Sequence, residues 1–218
     1  MSDEFFERPL PVEDPGPPPP SPPWTGPPYG VIPGVAPPEL VIASNARAAL
    51  YVGRCSVYAT GFELEVRVLI AYDAGELDPS LNGVYHRPGR GTNYDEMLKF
   101  GVEFSDGRKA TNVGGRGHGS DEPEEPVLWG MGGGGGGGRR LQDFWVWPLP
   151  SAGPLAFVCE WPAAGIPLTR AEVDAQLLLD ASTRTRQLFP NRASSEGGST
   201  WSSVSFAARR ASPGDTSS

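Results

Sequence analysis

A run of seven glycines, Gly132 to Gly138, is followed directly by Arg139 and Arg140. Small residues let several backbone amides point at one anion, and two guanidinium groups would add positive charge, so the run invites a phosphate-binding interpretation. The nucleotide-binding loops that use glycine in this way need a Lys, then a Ser or Thr, and then a helix, whereas this run continues into a strand-like apolar segment. The pattern therefore favours a flexible insertion or interaction loop, with Arg139 and Arg140 as candidate contact residues.

The two histidines lie in loop-like sequence, His86 in GVYHRPGRG and His118 in GGRGHGSDEPEEP. Zinc sites use several His or Cys ligands, and calcium loops alternate oxygen ligands around a fixed glycine. Neither pattern is present, so the sequence predicts a solvated acidic loop, no metal site and no cofactor. The carboxylates that follow His118 are Asp121, Glu122, Glu124 and Glu125.

Cys55 and Cys159 are the only cysteines, and each falls in a strand-like segment. Their wide separation excludes a CxxC metal or redox motif. To act as a nucleophile, either would have to find one of the two loop histidines, and no serine lies in a GxSxG motif. We therefore predict two buried thiols and no catalytic residues, which favours a non-catalytic protein.

Two further pairs of residues are candidates for binding. Trp145 and Trp147 alternate in the apolar stretch FWVWPLP, where they would either pack in the core or form the floor of a ligand groove. Arg170 and Asp174 are four residues apart, which would place an ion pair on one face of a helix. With Arg139 and Arg140, these four residues complete the candidate interaction set.

Alternation of apolar and polar residues predicts the strands that would position these groups. The clearest strand is Phe62 to Tyr72, which forms a meander with two strands before it. Asp106 and Gly107 favour a tight turn in a second hairpin, and the Trp-rich stretch predicts a third hairpin whose first strand, apolar on both faces, belongs in a sheet covered on both sides. The other predicted strands are Leu40 to Ser44, Leu50 to Tyr58, Lys99 to Ser105, Lys109 to Val113, Asp143 to Leu149 and Leu155 to Trp161.

One long helix is predicted near the C-terminus. Thr169 and Glu172 match a capping box, so the helix would run from Arg170 to about Phe189 and end at Pro190. Its apolar stripe would cover the second face of the Trp-rich hairpin.

Composition predicts long tails around one domain. Residues 1–38 are rich in proline and residues 191–218 in serine and glycine, so both are expected to be disordered. The sequence therefore predicts a mainly β protein, an antiparallel β-sandwich or jelly-roll-like domain at residues 39–190. Within it we expect a flexible loop at about 114–140 and one long C-terminal α-helix at about 170–189.

Charge and hydropathy narrow the function classes. The formal net charge of −8 argues against nucleic-acid binding, which needs a basic face. The acidic N-terminus does not resemble a secretory signal, and no apolar stretch approaches the roughly 20 residues that cross a bilayer, so we expect a cytoplasmic protein without membrane contact.

These observations favour a non-catalytic cytoplasmic interaction module with an unidentified protein partner. Two alternatives stay open. One is a small-ligand-binding protein or enzyme with a pocket between the sheet and the C-terminal helix. The other is a subunit of a larger, phage-derived assembly, in which the tails order against neighbours.

The signature FWVWPLP…GPLAFVCEWP, with the proline-rich lead-in PYGVIPGVAPPELV and the helix ending in LFP, resembles a group of uncharacterised hypothetical proteins from GC-rich bacteria. The resemblance covers about residues 28–190. It implies a single recurring bacterial domain and carries no activity, cofactor or catalytic residue.

Overall fold

The regular structure is mainly β, as predicted. The computed structural model describes residues 21–74, 96–113 and 122–189, and the sheets they form are antiparallel, with one α-helix. In chain order the elements are β1 (Val31–Ile32), β2 (Gly34–Ala36), β3 (Leu40–Ser44), β4 (Ala48–Val57), β5 (Phe62–Ile70), β6 (Lys99–Glu103), β7 (Lys109–Thr111), β8 (Val127–Gly136), β9 (Arg139–Trp147), β10 (Pro154–Trp161), a 3₁₀ helix (Pro162–Ala164), β11 (Ile166–Asp174), α1 (Gln176–Ser182) and β12 (Arg186–Gln187).

The larger sheet has six strands, in the order β2-β4-β5-β9-β8, with β3 also paired to β4. The predicted meander is confirmed, because β3 pairs with β4 and β4 pairs with β5, both antiparallel. Alternation explains the central strand: Leu64, Val66 and Val68 are fully buried, whereas Arg67 and Leu69 between and beyond them are exposed.

The second main sheet, called the smaller sheet, has four strands in the order β11-β10-β6-β7, and β1 and β12 form a separate two-stranded sheet. The predicted hairpin between β6 and β7 is confirmed, and its turn is stabilised locally. The Asp106 carboxylate accepts a 3.0 Å hydrogen bond from the Arg108 amide, and Gly107 takes a φ of +86° that favours glycine.

Both sheets contribute side chains to one hydrophobic cluster. Phe100 from the smaller sheet and Phe144 from the larger one stack with ring centroids 5.5 Å apart. Helix α1 adds Leu178 and Ala181, both fully buried, where it packs against β2 and β4. The core therefore lies between strands that are distant in the sequence.

The third predicted hairpin is wrong. Strand β9 pairs with β5 and β8, whereas β10 pairs with β6 and β11, so the chain crosses from one sheet to the other between them. The two-faced character of the first strand is nevertheless confirmed, since Phe144 and Trp145 point to opposite faces and both are fully buried.

The C-terminal helix is present but much shorter than predicted, and the first part of its predicted range is a strand. Residues 166–174 form β11, which pairs with β10 along most of its length, and α1 has seven residues. The capping box does not form, because the Thr169 hydroxyl donates to the Pro167 carbonyl instead of capping a helix. The ladder to β10 outweighs the local helix signals, since strand preference depends strongly on tertiary context.

The flexible loop expected at about 114–140 is wrong where the structure describes it. Gly132 to Gly136 belong to β8 and pair in register with β9, and Gly137 and Gly138 form the turn that leads into Arg139. The strand forms because β9 offers a complete ladder of partners. Residues 114–121 lie outside the described residues.

Part of the predicted N-terminal arm is structured. Residues 21–36 contain β1, which pairs with β12, and β2, which pairs with β4, so the unpacked arm expected over 1–38 is wrong for this part. Residues 1–20 and 191–218 lie outside the described residues, as do His86 and His118. In the described part of the chain, α1 is too short to cross a membrane.

Candidate binding surface

A cluster of aromatic side chains covers one end of the outer face of the larger sheet. Trp129 on β8 lies directly opposite Trp145 on β9, and Val127 lies opposite Trp147. Period-two alternation places all four on the same face, away from Phe144 and the main core. We define the aromatic platform as Tyr58, Val127, Trp129, Trp145 and Trp147.

The rings of the platform contact one another edge to face. Tyr58 and Trp145 have ring centroids 5.7 Å apart at an interplanar angle of 62°. Trp145 is fully buried and Trp129 is 7% exposed, although both lie on the face of the larger sheet that points away from the main core. Another segment must therefore cover them.

That cover is the proline-rich segment of residues 21–26. The indole Nε1 of Trp129 donates a 2.8 Å hydrogen bond to the Trp24 carbonyl oxygen, and the indole Nε1 of Trp145 donates a 3.2 Å bond to the Pro23 carbonyl oxygen. The Trp24 ring packs edge to face on Trp147, with centroids 6.0 Å apart. We call residues 21–26 the docked segment.

The docked segment is held in a compact local turn. The amide and the hydroxyl of Thr25 both donate to the Pro22 carbonyl oxygen, at 3.0 and 2.7 Å. This turn directs the next two carbonyls, those of Pro23 and Trp24, toward the platform. Gly26 follows and is buried. A Cβ at this position would lie 3.8 Å from the Met131 side chain, which is an ordinary van der Waals contact.

The chemistry of the two partners is complementary. Proline has no amide N–H, so a proline-rich segment offers carbonyl acceptors and flat apolar rings. An indole N–H is a donor with no acceptor function, and its ring is a large apolar surface. Aromatic-lined surfaces are also the means by which several protein modules recognise proline-rich peptides.

Polar groups adjoin the platform on the same face. Glu63 on β5 lies opposite Trp145, and its carboxylate accepts a 3.2 Å hydrogen bond from the Tyr58 hydroxyl. Burial raises the pKa of Glu63, and burial together with the neighbouring Glu63 raises the pKa of Tyr58. The Tyr58 hydroxyl therefore stays protonated and remains a donor over the whole neutral range.

Beyond Glu63, the same face carries a compensated charge cluster. The nearly buried Glu65 accepts from Arg67 at 2.7 Å and lies 3.6 Å from Arg54. Burial, followed by the charge of Glu65, raises the pKa of the neighbouring Asp143. These carboxylates are partly neutralised by guanidinium groups, and among the described residues no set of three or more His, Cys, Asp or Glu side chains is placed to hold a metal ion.

A groove lies on the face of the smaller sheet that points away from the main core. It has a volume of about 450 Å³ and an apolar floor that includes Val158 and Gly101. Its rim is charged, because Arg170 donates to Glu103 and Lys109 lies 3.7 Å from Glu103. These ion pairs hold the rim side chains to one another.

The structure brings together two of the six candidate interaction residues. Trp145 and Trp147 lie side by side in the aromatic platform. Arg139 and Arg140 begin the same strand, but six residues of extended chain, about 20 Å, separate Arg139 from Trp145.

Arg170 and Asp174 lie on β11 in the other sheet. Since four residues of strand span about 13 Å, they do not form the expected ion pair, and Arg170 instead donates to Glu172 at 2.7 Å. The alternative ligand pocket, in which these two residues would act together with Trp145 or Trp147, would therefore have to be lined by residues from both main sheets.

Sequence reasoning missed Trp24, Trp129 and the proline carbonyls. One signal was present: Trp24 is a large aromatic residue within a run of prolines, in SPPWTGPP. A residue of that size needs a surface to pack against, and an unpacked arm does not offer one. Comparison of the chain with protein-family models, curated proteins and solved structures finds no match.

Proposed function

We propose that this protein is a non-catalytic interaction module whose binding surface is the aromatic platform and whose ligand is a proline-rich protein segment. The observation that carries the proposal is the pair of indole hydrogen bonds from Trp129 and Trp145 to consecutive carbonyls of the docked segment. In this reading the docked segment is an internal ligand that shows the chemistry of the external one.

Burial supports a binding role for the platform. The docked segment removes large aromatic surfaces from water, and Trp, Tyr and Arg side chains dominate the energetics of protein interfaces. It also satisfies two indole donors that would otherwise need water. An external segment with the same acceptors and rings would gain the same contacts.

The internal ligand sets how the platform is regulated. A tethered segment has an effective concentration on the order of millimolar, so an external ligand must displace it before binding. Weakening the docked segment is therefore expected to strengthen external binding.

Sequence features support the proposed location and the proposed class of partner. We propose that the ligand is a protein and not a nucleic acid, because the net charge is −8. We expect the module to act in the cytoplasm and to belong with the bacterial proteins that the FWVWPLP signature resembles.

We also infer that the two sheets stack as a β-sandwich, which the shared core cluster and the contact between Phe100 and Phe144 support.

A peptide titration tests the proposal. A synthetic peptide of residues 15–26, PGPPPPSPPWTG, is titrated by calorimetry into the full-length chain and into Trp24→Ala. Because Trp24→Ala weakens the internal ligand, it is expected to bind the peptide about tenfold more tightly, equivalent to ~1.4 kcal/mol.

Two further variants identify the surface. Combining Trp24→Ala with Trp129→Phe removes one indole donor from the platform and should weaken peptide binding. Combining Trp24→Ala with Trp161→Phe is the matched control, because Trp161 lies in the main core and its indole N–H has no partner among the described residues. Absence of peptide binding to Trp24→Ala, or equal weakening by both Phe variants, contradicts the proposal.

A further inference from the structure

We propose that a second copy of this chain is a partner of the platform, through reciprocal exchange of the docked segment. Each copy would place its residues 21–26 on the platform of the other. This inference rests on the proposed function, since it uses the same surface and the same ligand chemistry.

Ligand and receptor are both present on one chain, so exchange needs no new interface. The hydrogen bonds from Trp129 and Trp145 to Trp24 and Pro23 would be the same in the exchanged pair as in the monomer. Reciprocal exchange of an identical element closes with two-fold symmetry and is a low-cost route to a dimer.

The chain after the docked segment has the features of a hinge. Gly26 is followed by Pro27, Pro28, Tyr29 and Gly30, and Gly30 has a φ of +70°. Two prolines favour an extended link, and the flanking glycines allow its direction to change. Residues 26–28, which precede the anchored Tyr29, reach about 9 Å in this conformation.

The far end of the hinge is anchored. Leu188 donates its amide to the Gly30 carbonyl oxygen at 2.7 Å, and Val31 and Ile32 pair with β12. Tyr29 stacks on Phe189, with ring centroids 6.2 Å apart. Residues up to 26 can therefore leave the platform while β1 and β2 stay with their own copy.

The hinge length decides between the closed monomer and the exchanged dimer. In the monomer the tether keeps the docked segment near its own platform, so exchange requires a high protein concentration. A link too short to span the distance abolishes internal docking and leaves docking between copies as the way to make the same contacts.

Sedimentation velocity of the full-length chain over a concentration series tests the proposal. The native chain is expected to show a dimer fraction that rises with concentration toward the millimolar range. Deletion of residues 27–28 should shift the onset of dimerisation to at least tenfold lower concentration. Insertion of Gly-Ser between Pro27 and Pro28 is the matched control and should leave the onset near that of the native chain, because the longer link still spans the distance.

Two substitutions report whether the dimer uses this surface. Trp24→Ala removes the ligand and Trp129→Phe removes a platform donor, so each variant alone should dimerise less than the native chain. An equimolar mixture should recover part of the dimer, because the intact segment of the Trp129→Phe copy meets the intact platform of the Trp24→Ala copy.

The outcomes separate the two proposals. A monomer at every concentration for the native chain and the residue 27–28 deletion, with peptide binding intact, overturns exchange and leaves the proposed function standing. Equal dimerisation by Trp24→Ala and the native chain also overturns exchange, because the dimer then uses another surface. Loss of peptide binding as well overturns both.

Discussion

The indole N–H of Trp129 donates a 2.8 Å hydrogen bond to the carbonyl oxygen of Trp24, a residue 105 positions earlier in the chain. This bond joins the edge strand of the larger sheet to a proline-rich segment that has no ladder partner there. Trp145 repeats the same contact one residue earlier, on Pro23. The aromatic platform and the docked segment are therefore held together by two indole hydrogen bonds.

Trp129→Phe is expected to loosen the docked segment without unfolding the sheets. It removes the indole donor and keeps an aromatic ring, at a cost of about 1 kcal/mol for the lost hydrogen bond. Hydrogen exchange at the Thr25 amide, which bonds to Pro22 in the docked turn, should accelerate. Trp161→Phe changes the main core and should not accelerate exchange at the Thr25 amide beyond what its effect on global stability explains. Equal acceleration in both variants would contradict the role of the Trp129 indole in holding the docked segment.

Neighbouring glycines of the run are expected to respond oppositely to alanine. A Cβ at Gly133 would lie 2.6 Å from the Leu141 carbonyl oxygen and 2.7 Å from the Gln142 amide oxygen, whereas a Cβ at Gly134 meets nothing within 4 Å. Gly133→Ala should lower the free energy of unfolding by about 1–3 kcal/mol, as overpacking does. Gly134→Ala should be neutral or should raise it by about 0.4–1 kcal/mol, because it restricts the unfolded chain.

Urea unfolding of the two variants measures this difference. A flexible loop would tolerate both substitutions alike, so equal stabilities would show that residues 132–136 do not form the strand. The Gln142 side chain explains the alternation, since its amide donates to the Gly132 carbonyl oxygen and occupies the space beside Gly133.

Asn112 is expected to be essential for the end of the smaller sheet. It is fully buried, accepts from the Phe100 amide at 2.7 Å and donates to the Leu98 carbonyl oxygen at 3.1 Å. Asn112→Ala leaves both backbone groups without these partners and should cost on the order of 3 kcal/mol. Thr111→Ala, at the adjacent exposed position, should cost less than about 1 kcal/mol in the same thermal or urea unfolding experiment.

Stability is expected to fall at alkaline pH through the buried thiols. Burial raises the pKa of Cys55 to about 12 and that of Cys159 to about 11, whereas a thiol in the unfolded chain has a pKa of about 8.5. Above pH 8.5 the unfolded state loses these protons first, so the folded state binds more protons and unfolding becomes easier as pH rises. The stability that the two buried, protonated thiols contribute is fully present below pH 8.5 and is lost as the pH approaches 11 to 12.

Urea unfolding at pH 7, 9 and 10.5 measures this slope, which can reach ~1.4 kcal/mol per pH unit for each thiol. Cys55→Ala should flatten the slope relative to the native chain. A thiol reagent at pH 8 should label the native protein only as fast as it unfolds, and rapid labelling of folded protein would contradict the burial of both cysteines.

Local sequence was sufficient where the interactions are local. The alternation in β5 and the Asp106-Gly107 turn predicted the strand and the hairpin, because the turn is stabilised within four residues and the strand's own alternation marks its buried face. Only the end of the strand was misplaced, since β5 ends at Ile70 and Tyr72 is exposed. The two buried thiols were also predictable, since small apolar side chains in strands favour the core.

Tertiary partners decided the rest. The capping box at residues 169–172 gave way to a strand, because β10 supplied a ladder and the position of β10 depends on the whole smaller sheet, and only residues 176–182 of the predicted helix became helical. The glycine run carries no side chains that could indicate an inward or outward face, so only pairing with β9 made it a strand.

The chain by itself determined a mainly β protein with a Trp-rich strand that needed cover on both faces. Which segment supplies the second cover was decided only in three dimensions. The docked segment and Trp129 are far apart in sequence, and neither carries a periodic pattern that points to the other. Their contact exists because the order of β5, β9 and β8 places two indole donors side by side, within reach of the Pro23 and Trp24 carbonyl oxygens.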